Sequence, residues 1–362
     1  MLGFGRPAAG GIAVLTLAAV AAVTSPAQAA GTGVASVTAA TKVQYKAASG
    51  KQNKVVITRS GNTITIDDKV AVTAGKGCKK VNGDKTKVRC ATATVPSRVT
   101  IYTEDRNDVI VNDSDIRMSA FSGSGNDTIT GGLLGDKIQA GSGNDKADGR
   151  SGKDTLWGMT GHDTLRGGIG DDQLFGFEGN DKLYGDAGAD ILEGGLGRDH
   201  LDGGADHDLL RGDEPRRALA ADVLLGGPGT DIVSYAGYTK RVVVDTDGVK
   251  GDDGQAGEHD TVGTDVESIF GGSGNDRIVG NAGNGSFSGG EGNDVIYGGA
   301  GVDSINGGDG KDKIYGGADD DYLDGGDYET QVADLLDGGS NTSYGGDHCQ
   351  KAKKDTLIGC EK

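Results

Sequence analysis

Residues 167–193 read GGIGDDQLF-GFEGNDKLY-GDAGADILE, three consecutive nonamers that share a skeleton rather than a sequence. Glycine opens each one, aspartate stands sixth (Asp172, Asp181, Asp190), and leucine follows two places later (Leu174, Leu183, Leu192). The spacing persists on both sides. Aspartate recurs every nine residues at Asp127, Asp136, Asp145, Asp154, Asp163, Asp172, Asp181, Asp190, Asp199 and Asp208. Two places beyond stand Ile129, Ile138, Ala147, Leu156, Leu165, Leu174, Leu183, Leu192, Leu201 and Leu210, of which only Ala147 is small. Glycine supplies 68 of 362 residues, aromatics are 5%, and the formal net charge is −18. Without order, that composition describes a flexible linker. A linker has no reason to hold a phase, whereas a short fixed period is the mark of a solenoid.

The phase breaks and resumes. An insertion, DEPRRALAA (213–221), stretches one interval before Asp222 and Asp231. Residues 232–270 leave the pattern with strand-like IVSY and RVVVDT, a polar GDDGQAGEHD, and VESIF. A second run carries Asp276, Asp294, Asp303, Asp312 and Asp321, with Gly285 standing where one aspartate is due. A second insertion, DYETQVA (327–333), precedes Asp334.

The unit G-G-x-G-x-D-x-U-x, with U large and apolar, has a chemical logic. A glycine-rich turn reaches positive φ and exposes carbonyl oxygens because no Cβ obstructs it. One aspartate per turn adds a charged oxygen donor. Hard cations such as calcium take six to eight oxygens at about 2.3–2.6 Å. Stacked coils repeat at about 4.8 Å, so the aspartates form columns of like charge. Two carboxylates about 5 Å apart repel by roughly 0.8 kcal/mol even in water. One apolar side chain per nine residues is a thin core against the entropy of fixing a glycine-rich chain. The predicted solution is that cations complete both the columns and the core, so that metal binding becomes folding free energy.

At this point the pattern resembles the RTX, or haemolysin-type, calcium-binding repeat family, over roughly 120–231 and 271–337. The resemblance implies a parallel β-roll with six-residue turns, three-residue strands, eighteen residues per coil, and calcium between stacked turns on each edge. The aspartates named above, Asp127 to Asp334, would ligate through their side chains and the turn glycines through carbonyl oxygens. Residues 232–270 (SY, VVVDT, HD, VESI, then GGSGND) are similar to the segment that joins repeat blocks in this family. Family toxins leave the cell on a C-terminal signal. This chain instead carries an N-terminal signal-like stretch, so the resemblance by itself implies neither toxin function nor that secretion route.

Units alternate edges, and the two edges differ. Asp127, Asp145, Asp163, Asp181 and Asp199 all have glycine two places earlier, and Asn126, Asn144 and Asn180 directly before. On the other edge Leu134 and Asp206 replace that glycine, and no asparagine precedes the aspartate. In the second run Asp276, Asp294 and Asp312 sit in regular turns, while Gly285 and Asp319 interrupt the opposite edge. One edge is expected to bind tightly and the other loosely.

The flanks read differently. Arg6, the apolar run Gly11–Val23 and Ala27-Gln28-Ala29 make a secretory signal peptide, predicted over 1–29. The apolar run is too short for a good membrane span, and no later stretch approaches one. Residues 30–113 hold alternating β-branched runs around Ser60-Gly61-Asn62, predicting a small β domain with a hairpin. Cys78 and Cys90 precede the repeats and Cys349 and Cys360 follow them, neither pair with CxxC spacing, so local disulfides Cys78–Cys90 and Cys349–Cys360 are expected. The full expectation is an all-β chain: 1–29 signal peptide, 30–113 disulfide-stapled β domain, 114–231 first block, 232–270 interrupting segment, 271–337 second block, and 338–362 cap.

Other chemistry finds little footing. His162, His200, His207, His259 and His348 share no ligand spacing, and read as solvent-exposed loop residues. Ser124 and Ser151 lie in no nucleophile elbow. Asp171, Asp186 and Asp320 read as surface charge. KAKK (351–354) is too short for nucleic acid on so acidic a chain. The expectation is a secreted, non-catalytic calcium-binding protein, with a calcium-stabilised adhesive or cell-envelope matrix protein as the second reading and a secreted enzyme whose site lies in 31–113 or 232–270 as the third.

Overall fold

One coil shows why these residues form this architecture. Thr155–Thr160 is a strand in which Leu156 points inward while Thr155 and Trp157 face out, the two-residue period of a half-buried strand. Gly161-His162-Asp163 turns the chain into Thr164–Ile169 on the opposite sheet, where Leu165 points inward. The next turn returns it to Gln173–Glu178, directly beside the first strand. Leu156 pairs with Leu174, and Leu165 with Leu183, in parallel register. The nine-residue unit is therefore half a coil and the coil is eighteen residues, so the repeat places like on like. Each of the ten residues at the U position, Ile129 to Leu210, is at most 3% exposed, Ala147 included. The core is a pair of aliphatic columns running along the molecule.

The computed structural model describes residues 31–213, 220–326, 332–340, 346–350, 352 and 354–361. The predicted signal peptide lies outside them, as do residues 214–219 and 327–331 of the two insertions. Every described element is a strand. Among the described residues no helix is long and apolar enough to cross a membrane.

Three parallel sheets form the walls. The first runs from Arg98–Tyr102 and Arg117–Ser124 through the repeats to Asp347–Gln350 and Cys360–Glu361. The second runs from Lys54–Ser60 and Val109–Asp113 to Val223–Leu225 and Thr261–Val262. There it stops. A third begins at Val242–Asp245, pairs onto Arg277–Val279, and ends at Thr356–Ile358. The interrupting segment thus replaces one wall, while the first sheet passes through from Ile232–Ser234 to Ser268–Phe270.

The predicted hairpin is present: Lys54–Ser60 pairs antiparallel with Thr63–Asp67 around Gly61, whose φ of +58° suits glycine. Strands from residues 30–113 share both of the first two sheets with the repeats. Both expected disulfides are formed, Cys78–Cys90 and Cys349–Cys360.

Candidate metal sites

Each repeat aspartate sits at a turn-to-strand junction with its side chain directed along the stack. The N–H of Asp145 donates to Oδ1 of Asp163 at 2.8 Å, that of Asp163 to Asp181 at 2.7 Å, and that of Asp181 to Asp199 at 2.7 Å. A carboxylate in every coil therefore accepts from the backbone of the coil before it. The eighteen-residue spacing and the D-x-U step enforce this: the residue that leads the inward strand must be short enough to reach one layer back.

Three such columns hold all the aspartates singled out in the sequence. The first carries Asp127, Asp145, Asp163, Asp181, Asp199 and Asp222. The second carries Asp136, Asp154, Asp172, Asp190, Asp208 and Asp231, then Asp303 and Asp321 beyond the junction. The third carries Asp276, Asp294, Asp312 and Asp334. All are at most 3% exposed.

The second oxygen decides the chemistry. Oδ2 of Asp127, Asp145, Asp154, Asp163, Asp172, Asp181, Asp190, Asp199 and Asp208 is buried with no hydrogen-bond partner. A buried ionised oxygen left unpaired is costly, and carboxylates stacked one coil apart make it worse. Burial pushes the Asp163 carboxyl up to about 7, opposed by the N–H of Asp145 and aided by the charge of Asp181. Burial likewise raises Asp154 and Asp190 to about 8, their column neighbours adding to it. A divalent cation answers both problems, because it supplies the missing partner and cancels the repulsion. The donor set is all oxygen, which suits calcium. The glycine that opens each turn belongs to the same design: a Cβ on Gly158 would strike Oδ2 of Asp163.

The turns depart from the sequence pattern in one respect. Met159 (φ +85°), Phe177 (φ +76°) and Asp186 (φ +74°) hold the second turn position in the left-handed region that Gly195 and Gly204 adopt elsewhere. The stack imposes this conformation on side chains that do not favour it.

Two turns differ at the metal-facing oxygen. Oδ2 of Asp136 accepts from the N–H of Gly132 at 2.7 Å, and that of Asp276 from Gly272 at 2.8 Å. These aspartates open the second and third columns and have a partner already.

A second ladder lies outside the first and marks the edge flagged in the sequence. Asn144 N–H donates to Oδ1 of Asn126, His162 N–H to Oδ1 of Asn144, and Asn180 N–H to Nδ1 of His162, each at 2.8 Å. It runs in the opposite sense to the aspartate ladder. His162 is exposed, as expected, yet it also substitutes for asparagine as a rung. On the other edge His207 accepts in the same way from Thr230 N–H at 3.0 Å.

At Gly285 the interruption is filled rather than empty. A Cβ on Gly280 or Gly285 would meet the ring of Phe287, which occupies the space a carboxylate holds in other coils. Phe287 is 2% exposed. Gly285 N–H still donates to Asp303, so the backbone register is kept while the column is broken.

Several rungs were missed in the sequence. Asp108 and Asp260 extend the first column, Glu267 replaces aspartate in the second, where Asp347 also joins it, and Asp355 accepts in the third. The signal was available: Asp108-Val109-Ile110, Asp260-Thr261-Val262 and Asp355-Thr356-Leu357 all keep the D-x-U step without the glycines. Asp245, Asp247 and Asp252 also bring carboxylate oxygens within 4.8 Å of one another, mostly exposed.

The family comparison agrees with the geometry. The model of the RTX calcium-binding nonapeptide repeat (4 copies) matches at 121–156, 133–165, 157–192, 184–214, 263–296, 270–305, 279–313 and 297–327. The chain carries RTX calcium-binding repeats. No curated protein matches it significantly. The RTX matches cover the coils of Asp127 to Asp208 and of Asp276 to Asp321, and these stacked aspartates fit multiple calcium sites. They stop short of Asp108, Asp222, Asp231, Asp334, Asp347 and Asp355.

Proposed function

We propose that this is a secreted, non-catalytic calcium-ion-binding protein whose β-roll folds as Ca2+ enters the stacked turns. The supporting observation is the run of buried, unpartnered Oδ2 atoms in register from Asp127 to Asp208, Asp136 excepted. A metal-free chain has to bury these charges uncompensated. In this reading the repeat aspartates are side-chain ligands and the turn glycines carbonyl ligands. Residues 114–231 and 271–337 act as two calcium blocks, joined by 232–270 and closed by 30–113 and 338–362. The predicted signal peptide delivers the chain to the calcium-rich exterior, where extracellular modules bind at about 10⁻⁴–10⁻³ M.

Far-UV circular dichroism of the chain lacking 1–29, with calcium and then with chelator, tests the reading. Strand signal should appear with calcium and collapse on chelation. A metal-stripped chain with undiminished strand content and the same melting temperature defeats it.

A second reading, a calcium-stiffened adhesive protein, draws on the outer face of the first sheet. Tyr102 stacks on Phe121 with ring centroids 5.0 Å apart, and Trp157 and Phe175 are adjacent rungs further along. Calcium-dependent retention on isolated cell-envelope material favours it, and Trp157→Ala should reduce that retention.

A further inference from the structure

Where the repeat fails, the interrupting segment builds a second kind of acidic site. Asp213 ends the strand Leu209–Asp213 of the first block and is 4% exposed. Its Oδ2 accepts from Ala220 N–H at 2.7 Å, whereas Oδ1 is buried with no partner. The carboxyl faces that of Glu258, which is 1% exposed and reaches inward from the interrupting segment. Glu258 is held there from two directions, by Tyr238 O–H at 2.6 Å and by the N–H of Gln255. Asp260, its neighbour, accepts from Tyr235 O–H at 3.0 Å. Glu258 and Asp260 converge on one point: a Cβ on Gly254 would lie 2.6 Å from Oε2 of the first and 2.8 Å from Oδ2 of the second. Asp222 adds another buried carboxylate, its Oδ2 unpartnered. Among the described residues no ion pair joins any of these acids to lysine or arginine.

Two carboxylates brought together in the interior need a proton or a cation between them. The tyrosines favour the cation. The Tyr238 hydroxyl and the Gln255 amide orient Glu258, and the Tyr235 hydroxyl orients Asp260, without neutralising either, as outer groups orient the ligands of a metal site, and every carboxylate oxygen retains a free lone pair. We propose that Asp213 and Glu258 form a calcium site outside the nine-residue repeat, oriented by Tyr238 and set in the negative field of Asp222 and Asp260. The pair supplies up to four of the six to eight oxygens calcium takes. The ion pins the interrupting segment to the last coil of the first block.

Native mass spectrometry of the chain lacking 1–29, at saturating calcium, counts ions one at a time. Glu258→Gln and Asp213→Asn should each lose a single ion relative to the parent, with the repeat ions retained. Glu258→Gln keeps an oxygen for Tyr238, and should remain folded if Asp213→Asn does not. An unchanged ion count, with either variant melting as high as the parent in calcium, overturns the proposal in favour of a shared proton. A parent that retains no ions at all overturns it together with the calcium-binding function, so the parent count separates the two failures.

Discussion

At the residue scale, the repeat aspartate has two jobs that can be separated. Oδ1 is structural, closing the ladder to the coil before; Oδ2 is the oxygen the proposed calcium would take. Replacing Asp163 with alanine strands the N–H of Asp145, and replacing Asp136 strands those of Met118 and Gly132. Each orphaned buried donor costs about 1–3 kcal/mol, so both variants should be destabilised. Only Asp163 also gives up an unpartnered Oδ2. Asp163→Ala should therefore raise the calcium midpoint well above that of Asp136→Ala in a titration; equal midpoints would falsify the division of labour. Protonation probes the same oxygen. Burial lifts Asp145, Asp163 and Asp181 to about 7 from the usual 3.8. A carboxyl raised on folding stabilises the fold fully below its unfolded value and loses that contribution as pH climbs through the folded one. In chelator, strand content should thus be higher near pH ~4.5 than near pH ~8. With metal present, calcium affinity should rise over the same span, because protons must leave before calcium enters. Circular dichroism and calcium titration at the two pH values give the answer, and an apo chain indifferent to pH contradicts it.

At the element scale, the turn is a module that tolerates replacement when geometry is preserved. Histidine serves for asparagine at residue 162, glutamate for aspartate at 267, and left-handed Phe177 for glycine. Phe287 is the limiting case, since its ring replaces the ligand. Phe287→Ala should cost about 3–5 kcal/mol in saturating calcium, as a large buried aromatic does. Gly285→Asp alone forces a carboxylate against the ring, an overpacking worth about 1–3 kcal/mol. Gly285→Asp combined with Phe287→Leu should relieve the clash and add calcium, read as a higher ion count in native mass spectra. No gain in ions means that the apolar filling is not what closes the site. These substitutions also explain what could be read from the sequence. The D-x-U step located eighteen buried carboxylates because it is dictated by one coil's own geometry. Asp108 and Asp355 keep the step but lack the turn glycines and the nine-residue phase that make the other aspartates legible. The aromatic at Gly285 was invisible because it fills the gap from two residues further along the strand.

At the scale of the molecule, the three columns were read as two edges, because their separation depends on long-range pairing that no local pattern announces. The junction breaks every column. The first ends at Asp260, whose Oδ2 is taken by Tyr235. The third starts afresh where Val242 N–H donates to Asp276. The second passes through Glu267 and meets the Phe287 filling. The apolar column does not break: Val233 pairs with Ile269, Ile269 with Phe287, and Phe287 with Ile305. Calcium-linked stability should therefore be cooperative within each block and weakly coupled between blocks, since coils in a solenoid feel mainly their nearest neighbours. Hydrogen exchange across a calcium titration measures the two blocks in one molecule. Asp294→Asn removes a charged oxygen from the third column and should raise the calcium midpoint for protection of 271–326 severalfold. Protection of 121–213 should keep its parental midpoint to within about twofold, the residual coupling being what a continuous apolar core transmits. If both blocks move together, the aliphatic columns rather than the ion columns set cooperativity, and the filled turn at Gly285 is no barrier between them.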